Sequence, residues 1–150
     1  MSIMNAIPDA LLESPSFQIE RLRRRTRDEV EQALATKDAT LREHWVLACL
    51  IGQDAASQSA LSETLAIDAS DMVRLVDQLE SHGWAKRERD PQDRRRQIVT
   101  ATKKGRKAHA ELTELVTEAE NNALDSSTNK QLKHLRKLAS SILDADEVAS

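Results

Sequence analysis

Positive charge is concentrated in residues 84–107, which hold ten Lys or Arg against three Asp or Glu, although the 150-residue chain has a formal charge of −3. Three consecutive arginines, Arg94, Arg95 and Arg96, follow Pro91, a residue typical of turns. A basic loop of this kind is suited to phosphate oxygens and is typical of nucleic-acid binding. An isolated charge run is more often a solvated surface, so its place among the predicted elements decides its meaning.

A second set of polar side chains lies just before the basic block, on a helix predicted to begin after Asp68 and to end at Gly83. Apolar residues at helical spacing form the side to be buried, and the other side carries Ser70, Arg74, Asp77, Gln78 and Ser81. Arg can donate two hydrogen bonds to guanine, and Gln can pair twice with adenine. Arg74 and Gln78 are therefore predicted to read bases. The alternative is an exposed face on which Arg74 pairs with Asp71 or Asp77.

The elements around this helix give the basic block a context. Ser57 is the predicted N-cap of a short preceding helix, with Ala60, Leu61 and Leu65 predicted to point inward. After Gly83 the apolar pattern alternates, which predicts strands at 84–89 and 96–101 joined by a turn. A helix-turn-helix followed by a basic hairpin is the order of a winged helix, and the arginines fall at its tip.

The rest of the chain is predicted to be helical, after a loosely ordered start that ends near Pro15. Aromatic residues make up only 2% of the sequence, so the core must be aliphatic, which favours a mostly α protein of one domain. The predicted long helices span 16–36, 40–52 (N-cap Thr40), 103–124 (N-cap Thr102) and 128–143. A chain of this size cannot easily cover the apolar stripes at both of its ends, and this predicts a homodimer.

Residues from Leu41 to Leu112 resemble the MarR (multiple antibiotic resistance regulator) family of winged helix-turn-helix transcription factors. The resemblance rests on SQSALSETLAI, DASDMVRLVDQLESHGW and DPQDRRRQIVTATKKG, and its most specific part is Asp93-x-Arg95 followed by Thr102-x-x-Gly105. Arg96 departs from the small residue common at its position. The resemblance implies one domain over 1–150, with dimerisation helices at 16–36 and 103–146 and a winged helix-turn-helix lobe at 40–102.

The resemblance also implies a homodimer that represses nearby genes from a pseudo-palindromic operator in double-stranded DNA and is released by small ligands. The wing residues of the family correspond to Asp93, Arg94 and Arg95. The alternative for Arg95 is a purely structural pair with Asp93 instead of a DNA contact. The full set of predicted DNA-binding residues is Ser57, Ser59, Ser70, Asp71, Arg74, Gln78, Arg94, Arg95, Arg96, Lys103 and Lys104.

Ligands of the family are often phenolic or aromatic acids, bound between the dimerisation helices and the DNA-binding lobe. There the chain could offer Arg25, His44, Trp45 and His109. With one Phe and no Tyr, an aromatic-lined pocket is less expected than usual, and the two Trp residues are expected to pack in the core and at the base of the wing. No His or Cys spacing indicates a metal site, so neither metal nor cofactor is predicted.

Other classes of protein have less support in the sequence. Cys49 is the single cysteine, which excludes an intramolecular disulfide, and on an apolar helix it is expected to behave as a small hydrophobe rather than as a redox sensor. Neither a membrane span nor a secretory signal is evident, so a cytoplasmic protein is predicted. No catalytic motif indicates an enzyme. The remaining alternative is a winged-helix interaction module that docks an acidic protein partner.

Overall fold

A computed structural model of the protein describes residues 6–125 and 127–149, with side chains to residue 146. Within these residues, five helices precede two strands, and two long helices follow. In chain order the elements are α1 (Asp9–Leu12), α2 (Pro15–Ala35), α3 (Leu41–Gln53), α4 (Gln58–Leu65), α5 (Ala69–Ser81), β1 (Ala85–Arg89), β2 (Gln97–Ala101), α6 (Lys103–Ala123) and α7 (Asn129–Ala149). The predicted fold class, mostly α with a small β-hairpin, is confirmed.

Side-chain caps define where four of the helices begin. Thr40 caps α3 through two hydrogen bonds with Glu43, since Thr40 Oγ1 accepts from the Glu43 amide at 3.2 Å and donates to Glu43 Oε1 at 3.1 Å. Ser57, Asp68 and Thr102 cap α4, α5 and α6 through backbone amides two or three residues on. All four residues were predicted as caps from the sequence, and all four are confirmed.

The hairpin is a two-stranded antiparallel sheet in which Ala85 pairs with Ala101 and Arg89 with Gln97. Ala56, just before α4, forms a two-hydrogen-bond bridge to Val99, with N···O distances of 3.0 and 2.8 Å. Val99 is fully buried, so the bridge anchors β2 to the start of the helix-turn-helix. The hairpin is therefore joined to the helical core at its base, and the 90–96 turn projects from it.

One aliphatic core joins α3, α4, α5, the base of the hairpin and α6. Its fully buried side chains include Leu47, Leu50, Leu61, Met72, Val76, Leu79, Val99 and Leu112. Helix α2 contributes Val30 and Leu34 from its C-terminal half and packs along α6. The buried stripe predicted for α5 is confirmed, and it directs the polar side of that helix to solvent.

The terminal helices differ from this core, because much of their apolar surface is open. Leu135, Leu138, Ile142 and Leu143 of α7 are 42–64% exposed, and Ile19 of α2 is 66% exposed. None of the described side chains of α7 is buried. The apolar stripes predicted at both ends of the chain are thus present, and within a single chain they are uncovered.

Four expectations from the sequence are corrected by the structure. The predicted loose start, residues 1–14, contains a one-turn helix, α1, in its described part, while residues 1–5 lie outside the described residues. The last helix continues past residue 143 to Ala149. Ala60 faces solvent, because Leu61 and Leu65 occupy the inner side of α4. Trp45 is 40% exposed rather than in the core, because the inner side of α3 is filled by Val46, Leu47 and Leu50.

Candidate nucleic-acid interface

Helix α5 presents the polar side chains that the sequence predicts to read DNA. Its buried stripe of Met72, Leu75, Val76 and Leu79 rests on the core, and Ser70, Arg74 and Gln78 are exposed on the other side. The turn from α4 into α5 contains Ala66 in the left-handed region, with φ of 52°, and Ile67, which is buried. The polar side of α5 therefore has a fixed direction. We call α5 the recognition helix.

The first turn of the recognition helix is closed by a local network. Asp68 Oδ1 accepts from the Ser70 amide and from the Ser70 hydroxyl, both at 2.7 Å. The hydrogen bond from that hydroxyl, together with those from backbone amides, holds the pKa of the Asp68 carboxyl below its usual value. The hydroxyl of Ser70 is thus committed to the cap as a donor, and its lone pairs are what remain for a further contact.

Arg74 is 74% exposed and forms an ion pair with Asp71, one turn earlier on the same helix. Asp71 also lies 3.8 Å from Arg42 at the start of α3. The pairing of Arg74 with Asp71 is the one that the sequence offered as an alternative to DNA contact. Asp71 itself, a predicted DNA-binding residue, is placed as an acceptor between two guanidinium groups.

Two aspartates shape the turn of the wing. Asp90 accepts from the Gln92 amide at 2.8 Å, and Asp93 accepts from the amide of Arg95 at 3.1 Å. Asp93 Oδ1 also lies 3.2 Å from Arg95 Nε, yet the Arg95 side chain is 91% exposed. Arg94 and Arg96 are exposed as well. The three predicted tip arginines are therefore displayed together on a turn whose backbone is held by hydrogen bonds.

The base of the wing is locked to the start of α6. Thr102 Oγ1 donates to the Gly83 carbonyl at 2.6 Å and accepts from the Gly105 amide at 2.9 Å. Gly83 has a φ of +77°, and a Cβ on Gly105 would lie 1.9 Å from the Trp84 carbonyl oxygen. Both glycines are thus required by local geometry. The Thr-x-x-Gly part of the motif fixes where the wing ends and where α6 begins.

The other predicted phosphate contacts lie at helix starts. Ser57 caps α4 by accepting from the Ala60 amide at 3.1 Å, and Ser59 is exposed in the first turn of that helix. Lys103 and Lys104 are exposed in the first turn of α6. These four polar or cationic side chains, with the free N–H groups of α4, suit phosphate oxygens rather than base edges.

Sequence reasoning missed Arg87, a residue of β1 whose side chain is only 17% exposed. Its guanidinium contacts Gln58 of α4 and the backbone and two carboxylates of the recognition helix. The available signal was the pair of acidic residues, Asp77 and Glu80, one turn apart on that helix. Within a run of ten cations, Arg87 could not be distinguished from the exposed ones by composition.

A buried acid–base pair beneath the recognition helix was also missed. Glu43 of α3 is 3% exposed, and its Oε2 lies 3.1 Å from Nε2 of His82, which follows α5. Burial raises the pKa of the Glu43 carboxyl, although Thr40 and His82 act in the opposite direction. The His82 ring stacks on Trp84 with centroids 4.0 Å apart. The pair thereby connects α3, the end of the recognition helix and the start of the wing.

The four predicted ligand-binding residues do not converge on one site. His44 and His109 do meet, as stacked rings 5.3 Å apart between α3 and α6, and His44 Nε2 lies 3.2 Å from Thr113 Oγ1. Burial, then the neighbouring His109, lowers the pKa of His44, and burial lowers that of His109. Arg25 instead pairs with Asp125 at 3.7 Å and borders a groove along α1 and α2.

The structure offers little for other chemistry. Burial raises the pKa of the half-buried Cys49 thiol, which disfavours the reactive thiolate. In the described part of the chain, His, Cys, Asp and Glu form no cluster of three or more suited to a metal ion. None of the helices within residues 6–125 and 127–149 has the length and apolarity to cross a membrane.

The helix pair, the buried stripe of the recognition helix and the basic hairpin define a winged helix-turn-helix protein. Residues 39–96 match the MarR family. The match covers the winged helix-turn-helix, and the structural neighbours include a MarR-family transcriptional regulator, so the chain is similar to this family in both sequence and fold.

Three solved structures illustrate the relationship. CouR from Rhodococcus jostii RHA1, bound to p-coumaroyl-CoA, is 27% identical with a TM-score of 0.77 over 90% of this chain and 95% of that chain. A MarR-family transcriptional regulator from Rhodococcus sp. RHA1 is 26% identical with a TM-score of 0.79 over 93% and 96%. A mutant MarR from E. coli in complex with operator DNA is 20% identical with a TM-score of 0.75 over 92% and 99%, and at that identity it shows the shared fold alone.

Proposed function

We propose that the protein is a homodimeric, sequence-specific repressor that binds a pseudo-palindromic operator in double-stranded DNA and has no enzymatic activity. The single observation that carries the proposal is the combination of an exposed polar face on a well-packed recognition helix with an exposed arginine turn beside it. In this assignment residues 40–102 form the DNA-binding lobe, residues 16–36 and 103–146 form the dimerisation helices, and the protein acts in the cytoplasm.

Base reading is assigned to the recognition helix. The exposed ion pair of Arg74 with Asp71 is worth about 0.2–1 kcal/mol, whereas a bidentate arginine–guanine contact discriminates by about 1–3 kcal/mol. Replacing the Arg74–Asp71 ion pair by an Arg74–guanine contact is therefore favourable. Asp71 still has Arg42 beside it once Arg74 has turned to the base. Gln78, exposed one turn further along, is assigned to adenine.

Affinity and orientation are assigned to the wing and to the two helix starts. Arg94, Arg95 and Arg96 reach phosphates or an adjacent narrow minor groove, whose negative potential attracts arginine. Lys103 and Lys104, with Ser57 and Ser59, contact the backbone. Such contacts neutralise phosphates without reading sequence, so they set the salt dependence of binding.

The dimer is supported by the uncovered apolar residues of α2 and α7. A two-fold partner would bury them and would place two recognition helices on successive turns of one duplex, about 34–36 Å apart. The expected operator therefore has two half-sites centred about one helical turn apart.

A small-molecule effector is part of the proposal. The structural neighbour CouR was crystallised with p-coumaroyl-CoA, an aromatic acyl thioester. In this chain the stacked His44 and His109 rings, with the exposed Trp45 nearby in sequence, offer neutral donors and acceptors to an aromatic or phenolic acid. Thermal-shift and operator-release assays with phenolic acids test this part. A panel that neither stabilises the protein nor releases DNA would remove the effector from the proposal.

The principal experiment maps bound genomic fragments and then compares two variants on the operator found. Arg74→Ala is expected to cost about 1–3 kcal/mol and to relax specificity at one base pair. Lys103→Ala is expected to weaken all sequences alike and to lower the salt slope by about one.

The matched control is Arg23→Ala on α2. Arg23 is also an exposed arginine paired with an acid three residues earlier, Glu20, at 3.1 Å. It lies outside the assigned DNA surface, and its charged side chain is not one of the uncovered apolar residues that support the dimer, so its loss should leave both dimerisation and operator binding unchanged. If Arg74→Ala and Arg23→Ala behave alike, the assignment of the recognition helix is wrong.

A second candidate function is a winged-helix module that docks an acidic protein through the arginine turn. The observation in its favour is that Arg94, Arg95 and Arg96 are all exposed. Exposed arginines can pair with carboxylates of a protein partner, and this does not require any base to be read. A large ratio of specific to non-specific duplex binding at physiological salt would exclude it, because an acid-docking surface has no reason to distinguish DNA sequences.

A further inference from the structure

Arg87 is less exposed than every other Lys or Arg of residues 84–107, and its side chain is engaged in contacts within the protein. It lies on β1 opposite the fully buried Val99, and its side chain is 17% exposed. We propose that Arg87 is a positioning residue that holds the recognition helix and the wing in one fixed relation for DNA binding. The inference rests on the proposed function and assigns a role within it.

The guanidinium of Arg87 reaches both helices of the helix-turn-helix. Nε donates to Gln58 Oε1 of α4 at 2.8 Å, Nη2 donates to the Val73 carbonyl at 3.1 Å, and Nη1 contacts the carboxylates of Asp77, at 2.7 Å, and Glu80. The backbone amide of Arg87 also donates to Glu80 Oε2 at 3.2 Å. One strand residue thereby joins the wing to two turns of the recognition helix and to the helix before it.

This set of partners requires arginine rather than a generic cation. The guanidinium is planar with donors in a fixed fork, and here Nε, Nη1 and Nη2 donate in different directions. An ammonium group could keep the charge but could not reach α4 and two turns of the recognition helix at once. The contact is therefore geometric as well as electrostatic.

Charge adds a second reason for the arrangement. Asp77 is 58% exposed and Glu80 37% exposed, on the helix that is to enter a groove lined by phosphates. Two unpaired carboxylates there would repel DNA. Arg87 offsets them from inside the lobe, so that the polar face of the recognition helix approaches the duplex without that penalty.

Rigidity between the two contact surfaces has a direct effect on binding. When the recognition helix and the wing are held together, docking one places the other at its site, and less conformational freedom is lost on association. When the connection is loosened, each surface keeps its contacts, but they no longer form in one step. The specific complex should suffer most, because it needs both surfaces in register.

Arg89 provides a matched control on the same strand. It lies two residues further along β1, on the same face, and is exposed, with no ion pair or side-chain hydrogen bond to any described residue. Arg87→Gln and Arg89→Gln therefore remove the same charge from neighbouring positions. Only the first removes the connection between the wing and the recognition helix.

The DNA experiment measures specific and non-specific duplex affinity per folded protein at a temperature where circular dichroism shows each variant to be folded. Arg87→Gln is expected to lower specific affinity at least tenfold while non-specific affinity changes less than threefold. Arg89→Gln is expected to lower both by the same small factor. The specific affinity of Arg87→Lys, which keeps the charge, should fall between those of wild type and Arg87→Gln. If the glutamine variant does not fold, Arg87→Lys takes its place in the comparison.

A DNA-independent measurement keeps the inference testable if the proposed function fails. Amide hydrogen exchange of the β1–β2 hairpin should accelerate at least tenfold in Arg87→Gln and remain unchanged in Arg89→Gln. If wild type shows no specific duplex binding, the proposed function fails, and the exchange result alone decides whether Arg87 positions the wing. Equal losses of affinity and equal exchange rates in the two variants would overturn the inference.

Discussion

The winged lobe and the terminal helices have similar apolar stripes, yet only the lobe covers its own. In the recognition helix four apolar residues are buried, the most exposed of them 7%. In α7 the apolar residues Leu135, Leu138, Ile142 and Leu143 are 42–64% exposed. The same sequence pattern therefore marks an internal core in one region and an uncovered surface in the other.

This difference distinguishes the residues that stabilise the fold of a single chain from those that are available for association between chains. Burying one Leu or Ile side chain contributes about 1.5–3 kcal/mol of free energy. Burial of the exposed apolar residues of α7 would therefore contribute several kcal/mol, which a single chain does not gain. The lobe, in contrast, is closed by side-chain caps and a shared core. We expect changes in α7 to act on assembly and changes in the lobe to act on stability and local geometry.

The largest expected effect is on assembly. Leu138→Asp places a carboxylate in the 61% exposed apolar surface of α7 and should dissociate the proposed dimer without unfolding the lobe. Loss of the second recognition helix should then lower operator affinity at least about 100-fold, since linked sites gain about 10²–10⁴ in avidity. Light scattering and operator titration measure the two consequences.

The control for this change is Ser140→Asp, which adds the same charge to an exposed polar position of α7. It should leave both molecular mass and affinity as in wild type. A Leu138→Asp protein that remains dimeric would show that α7 is not the interface and that its apolar surface serves another purpose.

The next effect is on the junction where α6 leaves the wing. Gly105→Ala would place a Cβ 1.9 Å from the Trp84 carbonyl oxygen, so the base of the wing must shift. Overpacking of this kind costs about 1–3 kcal/mol. Urea unfolding should show the loss. In Gly52→Ala, where a Cβ would meet nothing within 4 Å, helix propensity predicts a gain of up to about 1 kcal/mol. Equal stability of the two variants would contradict the geometry of the junction.

A smaller effect is expected when the N-cap side chain is removed from a helix in each of the two regions. Asp68→Ala removes an acceptor of two 2.7 Å hydrogen bonds from Ser70 and should lower the thermal unfolding midpoint, with fraying of the recognition helix. Ser14 precedes α2 without a side-chain cap bond, so Ser14→Ala should cost only a few tenths of a kcal/mol. Thermal unfolding of the pair compares them. A comparable loss in Ser14→Ala would mean that α2 depends on its first turn as much as α5 does.

Local signals explain how much of the fold could be predicted. Thr40, Ser57, Asp68 and Thr102 were predicted as caps because a cap is a property of a few adjacent residues. Strand ends and helix ends agreed within one or two residues, except for the last helix. The one-turn α1 was missed because its four residues carry too little periodicity to predict a helix.

The parts of the candidate site that could not be predicted depend on contacts between distant segments. Arg87 meets Gln58 across 29 residues, and Glu43 meets His82 across 39, so neither pair has a local pattern. Trp45 was expected in the core from its type, but neighbouring aliphatic residues fill the inner side of α3. The exposure of the wing arginines could be predicted from the turn signal at Pro91, because long side chains on a tight turn extend into solvent.

The smallest expected effect concerns pH and again separates a buried from an exposed position. Burial holds the pKa of Glu43 above its usual value, so the folded protein binds this proton more tightly than the unfolded chain does. Its contribution to stability is therefore full below the ordinary carboxyl pKa and declines as pH rises through the raised one. The effect is small because Thr40 and His82 offset part of the burial.

Glu43→Gln cannot ionise, and its one side-chain oxygen can accept from Thr40 while its NH2 group faces His82. The free energy of unfolding, measured by urea titration from pH 4 to 7, should decline less with rising pH in this variant than in wild type. Glu63→Gln removes a carboxylate from an exposed position on α4 and should leave the slope of wild type. If Glu43→Gln keeps that slope as well, the carboxylate of Glu43 is fully compensated by its partners, and the buried pair adds no pH dependence to the lobe.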